Sequence, residues 1–300
     1  MTKATTVNEI KLRQLDEALC ACCSVPTAHA AWNKELAIAF SGGLDSRFLA
    51  FAARMFGYSV TLLHVYGPHV SPHESAFART WADRHNLPFK RLFLNPLDDA
   101  RIAANDELRC YFCKKRLFDE LLRLSAPLPL CDGTHASDTS AYRPGRKALR
   151  ELGIYSPLEM AGFQKDDIRR IGADIGLDIP WQKARPCLLT RFPYGICADV
   201  PLLNALAGAE ENMAKLMESC SRDAGIPHGG EPDFRLRIQT VTPFGADVEL
   251  HVREQRRSFT QSESFSKKCR HLMNSIPLLR LQAIRHMDNL SGYFDRSRRS

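Results

Sequence analysis

A short apolar run, Glu35-Leu-Ala-Ile-Ala-Phe40, leads straight into Ser41-Gly-Gly-Leu-Asp-Ser46, and a helical pattern follows over 48–57. No other feature constrains the fold as strongly. An apolar run this short reads as a strand buried on both faces, which belongs in a parallel sheet covered by helices. Two adjacent glycines let the backbone turn tightly and bring its N–H groups close to an anion. The helix start behind them favours negative charge. Ser41 and Ser46 can add hydroxyl donors. Asp45 repels a bare phosphate, so its presence predicts a bridging Mg²⁺. The same residues also suit a plain glycine turn with a Ser/Asp helix cap. Spacing alone leaves both readings open. The G-x-x-x-x-G-K-[ST] pattern of a Walker loop is absent.

Strands and helices continue to alternate. Residues 59–67 and 89–95 read as strands, and 71–88 as a helix closing before Pro88. Two helices follow, and 127–134 reads as a fourth strand ending at Asp132-Gly133-Thr134. This order predicts an α/β fold, a parallel sheet with helices on both faces. Right-handed crossovers gather the strand C-termini at one edge, where ligands bind. Both SGGLDS and DGT fall there. Residues 1–30 read as a helical extension with a Cys-rich end at 20–23. After 198 the pattern changes to a long helix over 199–225, a hairpin over 234–252 turning near Pro243–Gly245, a helix near 260–274 and a further apolar segment. The expected organisation is a nucleotide domain at 1–198 and a smaller α+β substrate or oligomerisation domain at 199–300.

With 44 % apolar and 25 % charged residues in 300, composition is that of an ordinary globular protein. No run of eighteen apolar residues predicts a membrane span. The polar start, MTKATTVNEIKLRQ, argues against a secretory signal, so a cytoplasmic location is expected. The net charge of +7 lies entirely in residues 251–300, with 11 Lys/Arg against 4 Asp/Glu. Such a tail can bind nucleic acid, an anionic ligand or a neighbouring subunit, the last predicting a homo-oligomer. It is equally compatible with a solvated surface.

With no secretory signal expected, ten cysteines point to metal binding or catalysis rather than disulfides. Cys110-Tyr-Phe-Cys113 suits a redox pair, half a zinc site or two unrelated thiols. Cys187 follows in KARPCLLTRFPYG. Three thiolates suit an iron–sulfur cluster with one iron lacking a protein ligand. The remaining cysteines, 20, 22, 23, 131, 197, 220 and 269, read as small buried apolar residues.

AFSGGLDS resembles the signature of the PP-loop ATP pyrophosphatases, enzymes that cleave ATP between the α and β phosphates and adenylate an oxygen of their substrate. RCYFCKKRLF (109–118), DGTHASDTSAYRPGRKALRELGIYSPL (132–158), PWQKARPCLLTRFPYG (180–195) and FRLR (234–237) resemble successive blocks of the LarE-type ATP-dependent sulfur transferases. The resemblance implies ATP-dependent replacement of a carboxylate oxygen by sulfur, on a pyridinium-3,5-biscarboxylic acid mononucleotide, during nickel-pincer cofactor biosynthesis. It implies that Ser41, Gly42, Gly43, Asp45 and Ser46 hold pyrophosphate and Mg²⁺, with Asp132, Gly133, Thr134 and Arg143 around the nucleotide. Arg191 would neutralise phosphate near the reacting carbon. Glu211, Arg235 and Arg237 would meet a nucleotide-like carboxylate substrate. Cys187 stands at the sulfur-donor position of members that sacrifice a cysteine. With Cys110 and Cys113 beside it, the chain resembles members holding a 4Fe–4S cluster, fed by a sulfur donor protein or free sulfide. Arg47, His135 and Leu189-Thr190 depart from the family pattern. The rival readings are a cluster-dependent tRNA thiolase, a non-catalytic nucleotide- or cluster-binding regulator, and an ammonia-using synthetase. The last leaves the three cysteines unexplained.

Overall fold

The computed structural model describes residues 6–24, 34–140, 144–225, 233–290 and 292–296. Two units divide the chain: Met1–Gly67, Glu74–Leu94 and Cys110–Arg185 form the first, and Pro68–His73, Asn95–Arg109 and Pro186–Ser300 the second.

In the first unit, α1 (Val7–Cys23) opens on a capping box in which Thr6 and Glu9 satisfy each other's backbone N–H. Then come β1 (Glu35–Ala39), α2 (Leu44–Met55), β2 (Ser59–Tyr66), α3 (Pro72–Arg84), β3 (Phe89–Phe93), α4 (Arg109–Ser125), β4 (Leu130–Cys131), α5 (Pro144–Glu151) and α6 (Lys165–Asp174). The four strands are parallel, in the order β3-β2-β1-β4. Leu36, Ile38, Val60 and Leu62 meet Leu15 and Leu19 of α1, Phe48 and Leu49 of α2, Trp81 of α3 and Ile168 and Ile171 of α6. Ala37 and Leu63, on the opposite face, meet Phe118 and Leu121 of α4 and Leu149 of α5. Each large apolar side chain so buried contributes roughly 1.5–3 kcal/mol. The sheet covered on both faces, expected from the strand–helix alternation, is present.

Local boundaries differ from the sequence reading for identifiable reasons. Helix α2 starts at Leu44, not at 48, because Gly43 caps it in an extended conformation and Asp45 in its first turn complements the helix dipole. Asp45 and Ser46 are therefore helical residues. Strand β4 is only two residues long, since Pro127 and Pro129 before it have no N–H to donate to a ladder. The first of the two helices expected between the third and fourth strands is instead two short turns, at 96–98 and 100–103, capped separately by the side chains of Asn95 and Asp99.

The second unit contains α7 (Val200–Asp223), β5 (Phe234–Thr242), β6 (Gly245–Arg253), α8 (Glu263–Asn274) and β7 (Leu279–Met287). Helix α7 begins where the Asp199 side chain accepts the Leu202 N–H at 2.7 Å. Strands β5 and β6 form the expected hairpin, and the last apolar segment is β7, which returns through α8 to pair parallel with β6. Among the described residues no helix is long and apolar enough to cross a membrane.

Arg47 explains its own departure from the family pattern. Its side chain is fully buried, and its guanidinium donates to Asp178 O at 2.6 Å, Ile179 O at 3.1 Å and Gln182 Oε1 at 2.7 Å. It thus anchors the segment after α6 to the helix that carries the glycine loop. Arg47→Met leaves these acceptors unsatisfied, and the expected loss is about 3 kcal/mol by denaturant unfolding. A loss well below 1 kcal/mol would show that the anchor carries little of the unit's stability.

Candidate active site

At the C-terminal edge of the first unit's sheet, the chain leaves β1 through Phe40 and turns at Ser41-Gly42-Gly43. Gly42 has φ +75, and a Cβ there would lie 2.9 Å from Ala78 Cβ. Any other residue is excluded both by its conformation and by α3. The Ser41 hydroxyl accepts the Gly43 N–H at 3.2 Å, and the Ser46 hydroxyl donates to Gly43 O at 3.1 Å. The turn is thereby held in shape at a helix start, an arrangement suited to an anion.

Strand β4 delivers Asp132-Gly133-Thr134 to the same place. A Cβ on Gly133 would meet Ser46 N at 3.0 Å and the Asp45 backbone carbon at 3.1 Å. The two motifs read from sequence therefore touch, and a side chain at 133 would press on the backbone at the start of α2. The buried carboxylate of Asp132 accepts the Thr134 N–H at 3.2 Å, the Thr134 hydroxyl at 2.5 Å and the Ser156 hydroxyl at 2.7 Å. Its place is inside the turn, shaping it. Asp45 Oδ1 accepts from Lys165 Nζ at 2.6 Å, and His135 Nε2 lies 4.0 Å from the same oxygen and 3.7 Å from Asp138 Oδ2. Arg143 lies outside the described residues.

Cys110 and Cys113 sit at the start of α4, three residues apart and hence on one helix face, and both are half-buried. Cys187 belongs to the second unit. It heads a short turn in which its carbonyl accepts the Thr190 N–H at 3.0 Å and hydroxyl at 2.7 Å, while Leu188 N–H donates to His69 O at 3.0 Å. No disulfide joins any of the ten cysteines. Among the described residues, no three His, Cys, Asp or Glu side chains are gathered as a preformed metal site.

Within the second unit the arginines gather around one carboxylate. Arg191, in the turn after Cys187, is buried and grips Glu210 of α7 with two parallel bonds, Nε–Oε1 at 2.6 Å and Nη2–Oε2 at 2.8 Å. The Leu236 N–H also donates to Glu210, at 3.1 Å. Burial opposes ionisation of Glu210 and is the largest influence on it, but Arg191, Arg235 and Leu236 N–H together hold the carboxyl below its ordinary range. Arg235 and Arg237 alternate along β5 on one face, and both are buried. Arg237 donates to Thr190 O at 2.6 Å and to Leu290 O. Burial, then the charges of Arg191 and Arg235, lower its pKa to about 9. Opposite them on β6 lie His251 and Glu249. Glu249 is held between His251 Nε2 at 3.0 Å and Arg285 at 2.7 Å. Burial keeps His251 below the usual imidazole range and so neutral at neutral pH. Arg191, Arg235, Arg237 and Arg285 outnumber the carboxylates of Glu210 and Glu249 that they meet, the electrostatics of an anion site.

Among proteins similar to this chain, an uncharacterised protein of Synechocystis is 35 % identical over 60 % of the chain and 68 % of its own length. An uncharacterised protein of Methanocaldococcus jannaschii is 28 % identical over 63 % and 73 %. A Lactiplantibacillus plantarum protein named pyridinium-3,5-bisthiocarboxylic acid mononucleotide synthase is 30 % identical over 61 % of the chain and 68 % of its own. The chain belongs to the LarE family. No family model matches it.

For a LarE family member, two charged residues escaped the sequence reading. Glu211 is partly exposed and pairs with Lys215 at 2.8 Å, whereas the carboxylate facing Arg191 is Glu210. The inward row Leu203, Leu206, Ala207, Met213 and Met217 marks which side of α7 is buried, and 210 continues that row at helical spacing. Lys165 had no such signal, because only the fold brings it to Asp45. Glu210→Gln tests the charge arrangement. A carboxyl whose folded pKa lies below its unfolded value of about 4.5 stabilises the protein above that pH, and this stability is lost as pH falls through the folded value. The variant should lose about 3 kcal/mol at neutral pH, with the gap from the parent closing below pH 4.5. A pH-independent gap would contradict the ion-pair account.

Proposed function

We propose that this protein is an ATP-dependent, AMP-forming sulfur transferase acting in nickel-pincer cofactor biosynthesis. It adenylates a carboxylate of pyridinium-3,5-biscarboxylic acid mononucleotide and replaces the activated oxygen with sulfur, yielding a thiocarboxylate. The observation that carries this reading is the packing of SGGLDS against DGT at the sheet edge in a LarE family member. The glycine cradle and the neighbouring carboxylate of Asp45 suit a Mg²⁺-bound polyphosphate. When bound, Mg²⁺ would neutralise charge on the phosphates.

The loop N–H groups, Ser41 and Ser46 hold the phosphates in line for attack by the substrate carboxylate, and the α–β bond breaks with pyrophosphate leaving. Most of this contribution is positioning and charge neutralisation. Arg235 and Arg237 hold the substrate's own phosphate, and Arg191, oriented by Glu210, steadies negative charge at the reacting group. Sulfur then displaces AMP from the acyl carbon. Cys110 and Cys113, one helical turn apart, together with Cys187, would hold a 4Fe–4S cluster. Such a cluster would supply an iron open to exogenous sulfide. A tRNA thiolase shares the loop and the cysteines, but the family relationship favours a small acceptor.

Two experiments test this. With ATP and the biscarboxylate mononucleotide, the protein should release AMP and pyrophosphate and form the thiocarboxylate. Asp45→Asn should slow AMP release by about 100-fold or more, and an unchanged rate would refute the loop assignment. Anaerobically purified protein should contain iron and sulfide that are lost in both Cys110→Ala and Cys187→Ala. Iron retained in both variants would refute the cluster, and mass loss of sulfur at Cys187 after turnover would assign the donor role to that cysteine.

A further inference from the structure

The contact between Lys165 and Asp45 joins a residue with no assigned role to the acidic residue of the glycine loop. Lys165 is the first residue of α6, and its backbone is fixed. Its N–H donates to Ser137 Oγ at 2.9 Å, the Ser137 hydroxyl donates to Gln164 Oε1 at 2.6 Å, and Gln164 N–H donates to Asp167 at 3.1 Å. Ser137 lies in the turn that follows DGT, so the base of Lys165 is tied to the second motif. Its ammonium reaches back over the first, 2.6 Å from Asp45 Oδ1.

Both partners are partly exposed, at 24 % and 29 %. An ion pair at such exposure is worth about 1 kcal/mol or less and is readily exchanged. A polyphosphate arriving with a divalent cation offers each partner a stronger one, the cation for the carboxylate and a phosphate oxygen for the ammonium. Without the lysine, Asp45 would present an uncompensated negative charge to the very anion the loop is shaped to hold. With it, the charge of Asp45 is balanced before binding and the same two charges serve both components of the ligand afterwards.

We propose that Lys165 is a ligand of the nucleotide's phosphates, and that Asp45 passes from Lys165 to the divalent cation as the nucleotide binds. The proposal rests on the ATP reading above. It makes a prediction that a purely structural salt bridge does not, namely that removing the lysine moves two affinities in opposite directions.

The test uses the full chain and its Lys165→Met variant, with Mn²⁺ alone as the cation probe, followed by electron paramagnetic resonance. A non-hydrolysable ATP analogue without cation is the anion probe, followed by calorimetry. In Lys165→Met, Asp45 is released, so Mn²⁺ alone should bind about 3-fold tighter. The analogue should bind about 10-fold more weakly. Lys165→Arg, which keeps the charge, should restore most of the analogue's affinity. If both affinities fall, or neither moves, Lys165 is a structural partner of Asp45 and the proposal is overturned. If the parent protein binds no analogue even with Mg²⁺, the ATP reading itself fails, and the proposal with it.

Discussion

Two parallel strand pairings, Ala37 with Leu130 and Ile38 with Cys131, set everything at the nucleotide end of the first unit. They join β4 to the sheet, and they place the exit of β4 beside the exit of β1. The consequence is steric. Gly133 lies so close to the backbone of Asp45 and Ser46 that a side chain there would have to push them aside, and Gly42, at φ +75 and against Ala78, is confined more tightly still. A glycine loop alone is a turn. Once a second strand end is pressed against it, it becomes a walled cradle of N–H groups and hydroxyls at a helix start, which is what an anion with several negative oxygens requires.

The second unit meets a different constraint, that of burying guanidinium groups. Arg191, Arg235 and Arg237 all lie inside, which is tolerable because each has donors in use: Glu210 takes two from Arg191, and the carbonyls of Phe234, Thr190 and Leu290 take others. Glu210 matters beyond its charge, since it also accepts from the β5 backbone and so joins α7 to the strand that carries the arginine pair. Positive charge still exceeds negative on this face. Such an imbalance is what a bound anion would offset.

The fold was legible where local pattern and tertiary environment agree. The buried run at 35–40, the turn glycines and the alternation over 234–252 each specify one conformation, and the fold adopts it. Boundaries were less legible: α2 begins four residues early because capping by Gly43 and the dipole preference of Asp45 outweigh the apolar pattern that starts later. Site residues divide the same way. The glycines and the arginine pair are visible because their spacing carries geometry. Glu210 and Glu211 are adjacent and chemically identical, and only the direction each faces on the helix separates them. Lys165 is a lysine at a helix start like many others, 120 residues from the aspartate it contacts.

The central claim is that the substrate's own carboxylate oxygen is activated by ATP and then lost to sulfur. The most direct measurement follows that oxygen. With the biscarboxylate mononucleotide labelled with heavy oxygen in its carboxyl groups, one labelled atom should appear in the phosphate of AMP for each sulfur gained by the product. AMP free of label while the thiocarboxylate accumulates would contradict the account, because sulfur would then enter by a route in which the nucleotide never bonds to the substrate.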